Sequence, residues 1–472
     1  MKLWQPTLLT LAIAATLPLP AAAHTNDELL KELRALRDRV QQLEEKLKAA
    51  APATAQAAAP APVTAVAPAP TLAPAATGMT PDQAREMSRL SLKVDTLEEA
   101  RESSFTKGMT INGSIDPTFI YNRGQNRAGV QLLNAAKSDA TGFFSNYAYD
   151  NSFIGTATLD IQKELEGGTK FRLTIMPDRG VGAHINFASI VHEASVSIPI
   201  DGDTTRLIAG QIPDWSGYEL LPSKDNKLVT HNLLFDLIAP LAYTAVGLDL
   251  KRGDWAGKIV AGNFNSTKRS PNEKSPMLAY RADYTINEYS GVGFSGVHGK
   301  AGNINGGSDT GLNLFEVDGF YTRGDWTGQG QISYGQQAKA AVALNADGGL
   351  QDARWVGLSG LAAYKFTPRL EGVARADYIF NHWHGGGLLG FGSDSLNGIG
   401  PGFDSTGTPN LGQRGADRYA LSVGGNFHFN EYVIFKLEYR FDGATKRVFE
   451  YVDNNTFKKY NHLFGAQMVV SF

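Results

Sequence analysis

Residues 461–472, Asn461-His462-Leu463-Phe464-Gly465-Ala466-Gln467-Met468-Val469-Val470-Ser471-Phe472, decide the fold. Phe464, Ala466, Met468, Val470 and Phe472 fall on one face of an extended chain. Gly465, Gln467 and Ser471 fall on the other, with Val469 the exception. A period of two is the signature of a strand. An exposed apolar strand in water is an edge that invites aggregation. A closed barrel in a membrane removes the edge, because the last strand pairs with the first and its outer face meets lipid. The pattern predicts an all-β fold, a transmembrane antiparallel β-barrel that closes on Phe472.

Working backward, the same period runs through the chain from Met109. Ile111, Gly113, Ile115, Pro117, Phe119 and Tyr121 alternate with Thr110, Asn112, Ser114, Asp116 and Thr118. The contrast is sharpest where Val433, Phe435, Leu437, Tyr439 and Phe441 alternate with Lys436, Glu438, Arg440 and Asp442. Charges on one face and aromatics on the other suit water inside and lipid outside. Short reversals rich in Gly, Asn, Asp and Pro occur at 166–168, 201–203, 253–254, 287–288, 324–325, 367–369 and 430–431. Longer polar stretches lie between them, near 122–153, 177–190, 213–243, 264–276, 299–311, 336–353, 382–416 and 443–460. Their alternation predicts about sixteen strands over 109–472, with both ends on the short-turn side. Sixteen strands leave room for an aqueous channel. Arg252-Gly253-Asp254-Trp255 recurs as Arg323-Gly324-Asp325-Trp326, each placing a Trp where an aromatic girdle belongs.

The residues before the barrel read differently. Lys2, the apolar run Leu8 to Leu17 and Ala21-Ala22-Ala23 form a signal peptide over 1–23. Leu29, Leu33, Leu36, Val40, Leu43 and Leu47 follow at alternating spacings of four and three, the seam of a short α-helical coiled coil over 24–50. Glu32 faces Arg37 and Arg39 faces Glu44 in parallel register, which predicts a homo-oligomer; a lone amphipathic helix or a hairpin would show the same seam. Residues 51–79 are an uncharged Ala/Pro-rich linker. Thr80-Pro81-Asp82-Gln83 then starts a second short coiled-coil helix over 80–104. The linker alone could extend about 80–90 Å at about 3.1 Å per residue, which makes peptidoglycan a candidate partner and a structural tether an alternative role.

Composition narrows the function. The chain has no cysteine, which excludes disulfides, thiol nucleophiles and cysteine metal sites. The net charge of −3 carries no basic stripe for nucleic acid. Charged residues are 19%, below the roughly 25% of soluble proteins.

This layout resembles the bacterial outer-membrane porins, and among them the OmpL-like and phosphate-selective relatives with an N-terminal periplasmic coiled coil. A closing aromatic such as Phe472 is the usual ending of such barrels. Gly217-Tyr218-Glu219 through Asn232, Phe235, Pro240 and Gly247 looks like the Gly-x-Glu…Asn…Pro…Gly stretch of the OmpL-like group. The resemblance implies a barrel in outer-membrane lipid, a homotrimer, and passive diffusion of small hydrophilic solutes or ions. One departure is visible: no ladder of inward Arg and Lys, as phosphate-selective relatives use, can be traced.

The expected lumen instead carries both signs, in Arg281, Asp283, Glu371, Arg375, Asp377, Lys436, Glu438 and Arg440. Such groups either set a transverse field or brace the wall as ion pairs. The third long stretch, Pro213 to Tyr243, is the candidate constriction loop, since third loops fold inward in general porins. It offers Trp215, Tyr218 and Leu233-Leu234-Phe235 for packing, with charges Asp214, Glu219, Lys224, Asp225, Lys227 and Asp236. Their slightly acidic balance predicts weak cation preference or none; an external loop touching a neighbouring subunit is the alternative. A barrel enzyme would need a catalytic cluster, and only His382-Trp383-His384 with Asp394-Ser395 is suggestive. No further ligand has metal spacing, so the sequence predicts no catalytic residues, metal or cofactor.

Overall fold

Hairpin after hairpin, the period-two segments pair with their neighbours until the last meets the first. A computed structural model describes residues 107–124, 126–132, 154–176, 191–240, 242–264, 274–303, 308–386 and 415–472, with four isolated positions elsewhere. The signal-peptide, coiled-coil, linker and second-helix readings lie outside the described residues.

The chain enters through β1 (Met109–Ile115) and β2 (Thr118–Asn122), one wall strand interrupted at Asp116-Pro117, where proline has no N–H to donate. A short β3 (Arg127–Gln131) folds back on β2. There follow β4 (Ala157–Glu164), β5 (Lys170–Ile175), β6 (Val191–Asp201), β7 (Thr205–Pro213), β8 (Ala242–Arg252), β9 (Trp255–Phe264), β10 (Met277–Asn287) and β11 (Ser290–Ala301). The wall continues with β12 (Thr310–Arg323), β13 (Trp326–Gln337), β14 (Ala353–Thr367), β15 (Leu370–Phe380), β16 (Arg418–His428) and β17 (Val433–Ala444). A small external hairpin of β18 (Phe449–Tyr451) and β19 (Thr456–Lys458) precedes the final β20 (Tyr460–Ser471). Counting β1 with β2, and setting β3 and the hairpin aside, the barrel has sixteen antiparallel strands.

Closure rests on β20, which pairs with β17 on one side and with β1 and β2 on the other. Phe472 N–H donates to the Gly113 carbonyl at 2.9 Å, and Gly113 N–H donates back at 3.1 Å. The Phe472 ring covers Gly113, so any Cβ there would collide with it.

Phase then assigns the faces. Phe435, Leu437 and Tyr439 are exposed on the outside, whereas Lys436, Glu438, Arg440 and Asp442 are buried within. Trp255 packs near Tyr284 and Trp326 near Tyr364 at the short-turn end, while Tyr378, Phe380, Tyr419 and Phe441 gather toward the other. Two aromatic belts flanking an apolar outer band are what a bilayer requires.

The interior departs from a simple polar lining. Toward the long-loop end, Ile208, Val260, Ala279, Val297, Leu314, Trp355 and Ile379 point inward and form one apolar cluster. That surface would be costly in water, and a loop covers it.

Candidate functional site

The loop is residues 214–241, between β7 and β8. It runs along the inner wall and back. Its local folding follows from sequence: Asn232 caps α1 (Leu233–Ile238) by accepting from Phe235 N–H at 2.7 Å, and Pro240 follows the C-cap Ala239. Leu233, Leu234, Leu237 and Ile238 are buried against the apolar interior. Each contributes about 1.5–3 kcal/mol of transfer free energy. Gly357 makes the seat, because a Cβ there would lie 2.8 Å from Leu234 and 2.9 Å from Ile238. Gly217 has φ of 70° in the loop's first turn, and a side chain there would strike Gln331.

Buried charge fastens the rest. Arg375 donates to Glu219 Oε1 at 2.7 Å and to the carbonyls of Thr230 and His231 at 2.7 and 2.9 Å. Its other neighbours are Asp377 at 3.2 Å and Glu438 at 3.8 Å. Glu438 accepts from Thr230 N–H at 2.7 Å, and Asp377 from Leu233 N–H at 3.3 Å. Arg440 donates to the His231 carbonyl at 2.5 Å while holding Asp442 at 2.9 Å. Lys436 donates to the carbonyls of Ser223, Lys224 and Asn226. Lys227 pairs with Glu371 at 2.6 Å, and Arg281 donates to the Trp215 carbonyl at 2.6 Å. Breaking a buried pair costs about 3–5 kcal/mol, whereas an exposed pair is worth about 0–1 kcal/mol. On that scale the loop is anchored, and the half-exposed Lys258–Asp249 contact at 3.9 Å is weak.

Of the eight lumen residues singled out from sequence, Asp283 alone has no contact with the loop among the described residues; it pairs with Arg281 and is partly exposed. The loop charges divide similarly. Asp214 is buried at the root, accepting from Ser216 and Tyr243. Glu219 faces Arg375, and Asp236 lies 3.9 Å from His231. Lys224 and Asp225 pair with each other at 2.6 Å on the loop's free edge. Burial pushes the Glu219 carboxyl up to about 7 and also raises Asp214.

That edge looks across to the wall the loop does not cover. There Arg172, 48% exposed, holds Asp160 at 2.8 Å and Glu193 at 3.3 Å, and the Asp225 carboxylate acts on it from the loop. A cavity of about 280 Å³ opens beside it, lined by Arg172, Glu193, Ser195, Ile208, Asp249 and Lys258. Lys258 also sits 5.8 Å from the Trp215 ring. Arg172 escaped the sequence reading, though its inward phase in β5, between Phe171 and Leu173, could have revealed it. A larger depression of about 930 Å³, near Val317, Ile332, Leu358 and Leu421, lies on the outer wall.

The external His pair does not converge. His382 bonds Asp417 through Nδ1 at 2.9 Å, whereas His384 turns to the Asp352 carbonyl at 2.9 Å. Asp394 and Ser395 lie outside the described residues. Among the described residues no group of three or more His, Asp or Glu is placed to hold a metal.

Comparison with known proteins fits this geometry. The sequence matches the family described as "Protein of unknown function (DUF3138)" over residues 4–273 and 281–472. The chain belongs to that family. No curated protein matches this DUF3138 member. Among solved structures, it is similar to an anion-selective porin from Comamonas acidovorans, with TM-score 0.51, 11% identity, and coverage of 77% of this chain and 99% of that one. It also aligns with OmpF of Salmonella typhi (TM-score 0.49, 11% identity, 78% and 99% coverage) and an OmpT of Vibrio cholerae (TM-score 0.48, 11% identity, 77% and 97% coverage). The likeness to the Comamonas protein, at 11% identity, shows a porin-like barrel fold alone.

Proposed function

We propose that this DUF3138 protein is an outer-membrane porin, a passive diffusion channel for small hydrophilic solutes or ions. In this reading the 214–241 loop is the constriction. The observation that carries it is the loop's one-sided seat: buried Arg375, Lys436 and Arg440 hold it to the β15–β20 wall, and a polar slot remains along β4–β9. A loop serving only external contacts would have no use for buried guanidinium anchors inside the barrel.

The slot's charge supports weak selectivity. Asp160, Glu193, Asp249 and Asp225 stand against Arg172, Lys258 and Lys224, mostly in pairs. Opposed signs across a narrow gap orient dipolar solutes without forming a single-sign ring. We assign weak cation preference or none, unlike the anion selectivity in the Comamonas protein's description.

In the same reading the apolar outer band meets outer-membrane lipid, the protein works as a homotrimer, and its N-terminal residues belong to the periplasm. Liposome swelling with neutral sugars of increasing size tests the channel. Uptake should fall steeply with solute size; liposomes that do not swell with the smallest sugar, despite a folded barrel, would refute it.

A further inference from the structure

The open side of the slot holds one pair of charges that the loop does not use. Asp249 on β8 and Lys258 on β9 stand opposite each other in register and line the cavity beside Arg172. Their contact is long, 3.9 Å, and their side chains are 35% and 42% exposed. The charges around them are engaged elsewhere. Arg206, opposite Asp249 on β7, donates to Ser197 and to the Gly168 carbonyl and pairs with Asp203. Arg281, opposite Lys258 on β10, is held by Asp318, Asp283 and the Trp215 carbonyl. Arg172 binds Asp160 and Glu193, and Lys170 pairs with Glu164. Lys251 follows Asp249 on the same face, one step nearer the short turn, and is exposed. Asp249 has no hydrogen bond or second ion pair among the described residues, and Lys258 adds only the Trp215 ring at 5.8 Å.

An apolar surface begins one row farther up the barrel. Ile208 follows Arg206 on the inner face of β7, Ile212 lies beyond it, and both line the same cavity of about 280 Å³. Trp215 packs against the cluster to which they belong. Ser195 and Ser197 complete the lining from β6. A loosely closed, half-exposed ion pair contributes little to the fold. Set under an apolar wall inside a cavity, it offers a solute one charge of each sign and a place for an apolar group.

We propose that Asp249 and Lys258 form a binding subsite for zwitterionic α-amino acids with apolar side chains. The solute's ammonium meets the Asp249 carboxylate and its carboxylate meets the Lys258 ammonium, so the charges close an alternating ring. Both solute charges sit on one carbon, which suits a wall pair that is itself nearly in contact. The side chain is directed at Ile208, Ile212 and Trp215, where covering apolar surface is favourable. An amine or a carboxylate alone meets one partner and is repelled by the other. A sugar would strip water from both charges without replacing it. The inference rests on the proposed channel for the solute's route, but binding can be read without any flow.

Saturation-transfer NMR of the purified full-length protein in detergent, titrated with L-leucine, tests it. The expected result is saturable transfer, strongest at the methyl groups. Isopentylamine and 4-methylpentanoate, which each keep one charged end, should bind about tenfold more weakly or worse, as should glycine, which lacks the side chain. D249N and K258Q should weaken L-leucine by a similar factor, and the exposed-loop control D347N should leave it unchanged. Heat-modifiable migration reports folding of each variant, and the analogue series on the wild type decides even if one fails to fold. L-leucine that binds no better than its single-charge analogues, or as well to folded D249N and K258Q as to the wild type, overturns the proposal. Liposomes that swell in a neutral sugar while L-leucine fails to bind would refute the subsite alone. Saturable, D249N-sensitive binding without swelling would uphold the subsite and refute the channel.

Discussion

Arg375 donates to Glu219 at 2.7 Å in the barrel interior, joining two residues 156 positions apart in sequence. Neither side chain reaches solvent, and the same guanidinium holds the Thr230 and His231 carbonyls. One wall residue thus fixes both the outgoing and the returning run of the loop. If the loop sets the width of a channel, Arg375 sets the position of the loop.

Replacing Arg375 with Ala leaves Glu219, Asp377 and Glu438 facing one another without their shared cation. The expected cost is about 3–5 kcal/mol. Because the wall strands keep their ladders, the loss falls on the loop: single-channel conductance rises and becomes noisier, while the folded barrel still forms. Unchanged conductance with a folded R375A barrel would separate the loop from the water path.

Glu219 gives a pH dependence of definite sign. Burial outweighs Arg375, whose charge is shared among three carboxylates, and raises the carboxyl from the usual 4.5 to about 7. A raised folded-state value means the seated loop favours protonated Glu219. This contribution is complete below about 4.5 and is lost as pH rises through 7. E219Q should flatten that part of the curve, read as denaturation midpoint against pH for both proteins. Parallel curves would contradict the assignment.

Gly357 tests the apolar seat. Val at this position would push into Leu234 and Ile238. Overpacking of this kind costs about 1–3 kcal/mol, and α1 can yield more easily than β14. G357V should expose the loop to limited proteolysis near residues 233–238, where the wild type resists.

Charge at the slot tests selectivity. R172Q should move the reversal potential toward cations and D225N toward anions. Both shifts should shrink near 1 M salt, where the screening length falls to about 3 Å.

Much of the barrel was legible because its signals are local. The phase of Phe435, Leu437 and Tyr439 against Lys436 and Glu438 names both faces within one strand, and the turns at 253–254 and 324–325 announce themselves by Gly-Asp. Leu233-Leu234-Phe235 marked the loop as able to pack. The break at Asp116-Pro117 and the β18–β19 hairpin were not foreseen, since a proline in a strand pattern leaves the pairing undetermined. The site was less legible for a different reason. Whether Arg375 brackets the loop or lines the water is decided by register across many strands, and no spacing encodes that. The same holds for Lys436, whose carbonyl partners Ser223, Lys224 and Asn226 lie on the loop, far away in sequence. The apolar inner cluster was hidden because Val260, Leu314 and Trp355 each look like ordinary strand residues until the barrel closes.

Single-channel recording of the purified protein in a planar bilayer, under a salt gradient, tests the central claim most directly. The account predicts stepwise conductance proportional to salt, grouped in threes, with a reversal potential near zero or slightly toward cations. A correctly folded, heat-modifiable barrel that passes no current would contradict it and make the loop a plug.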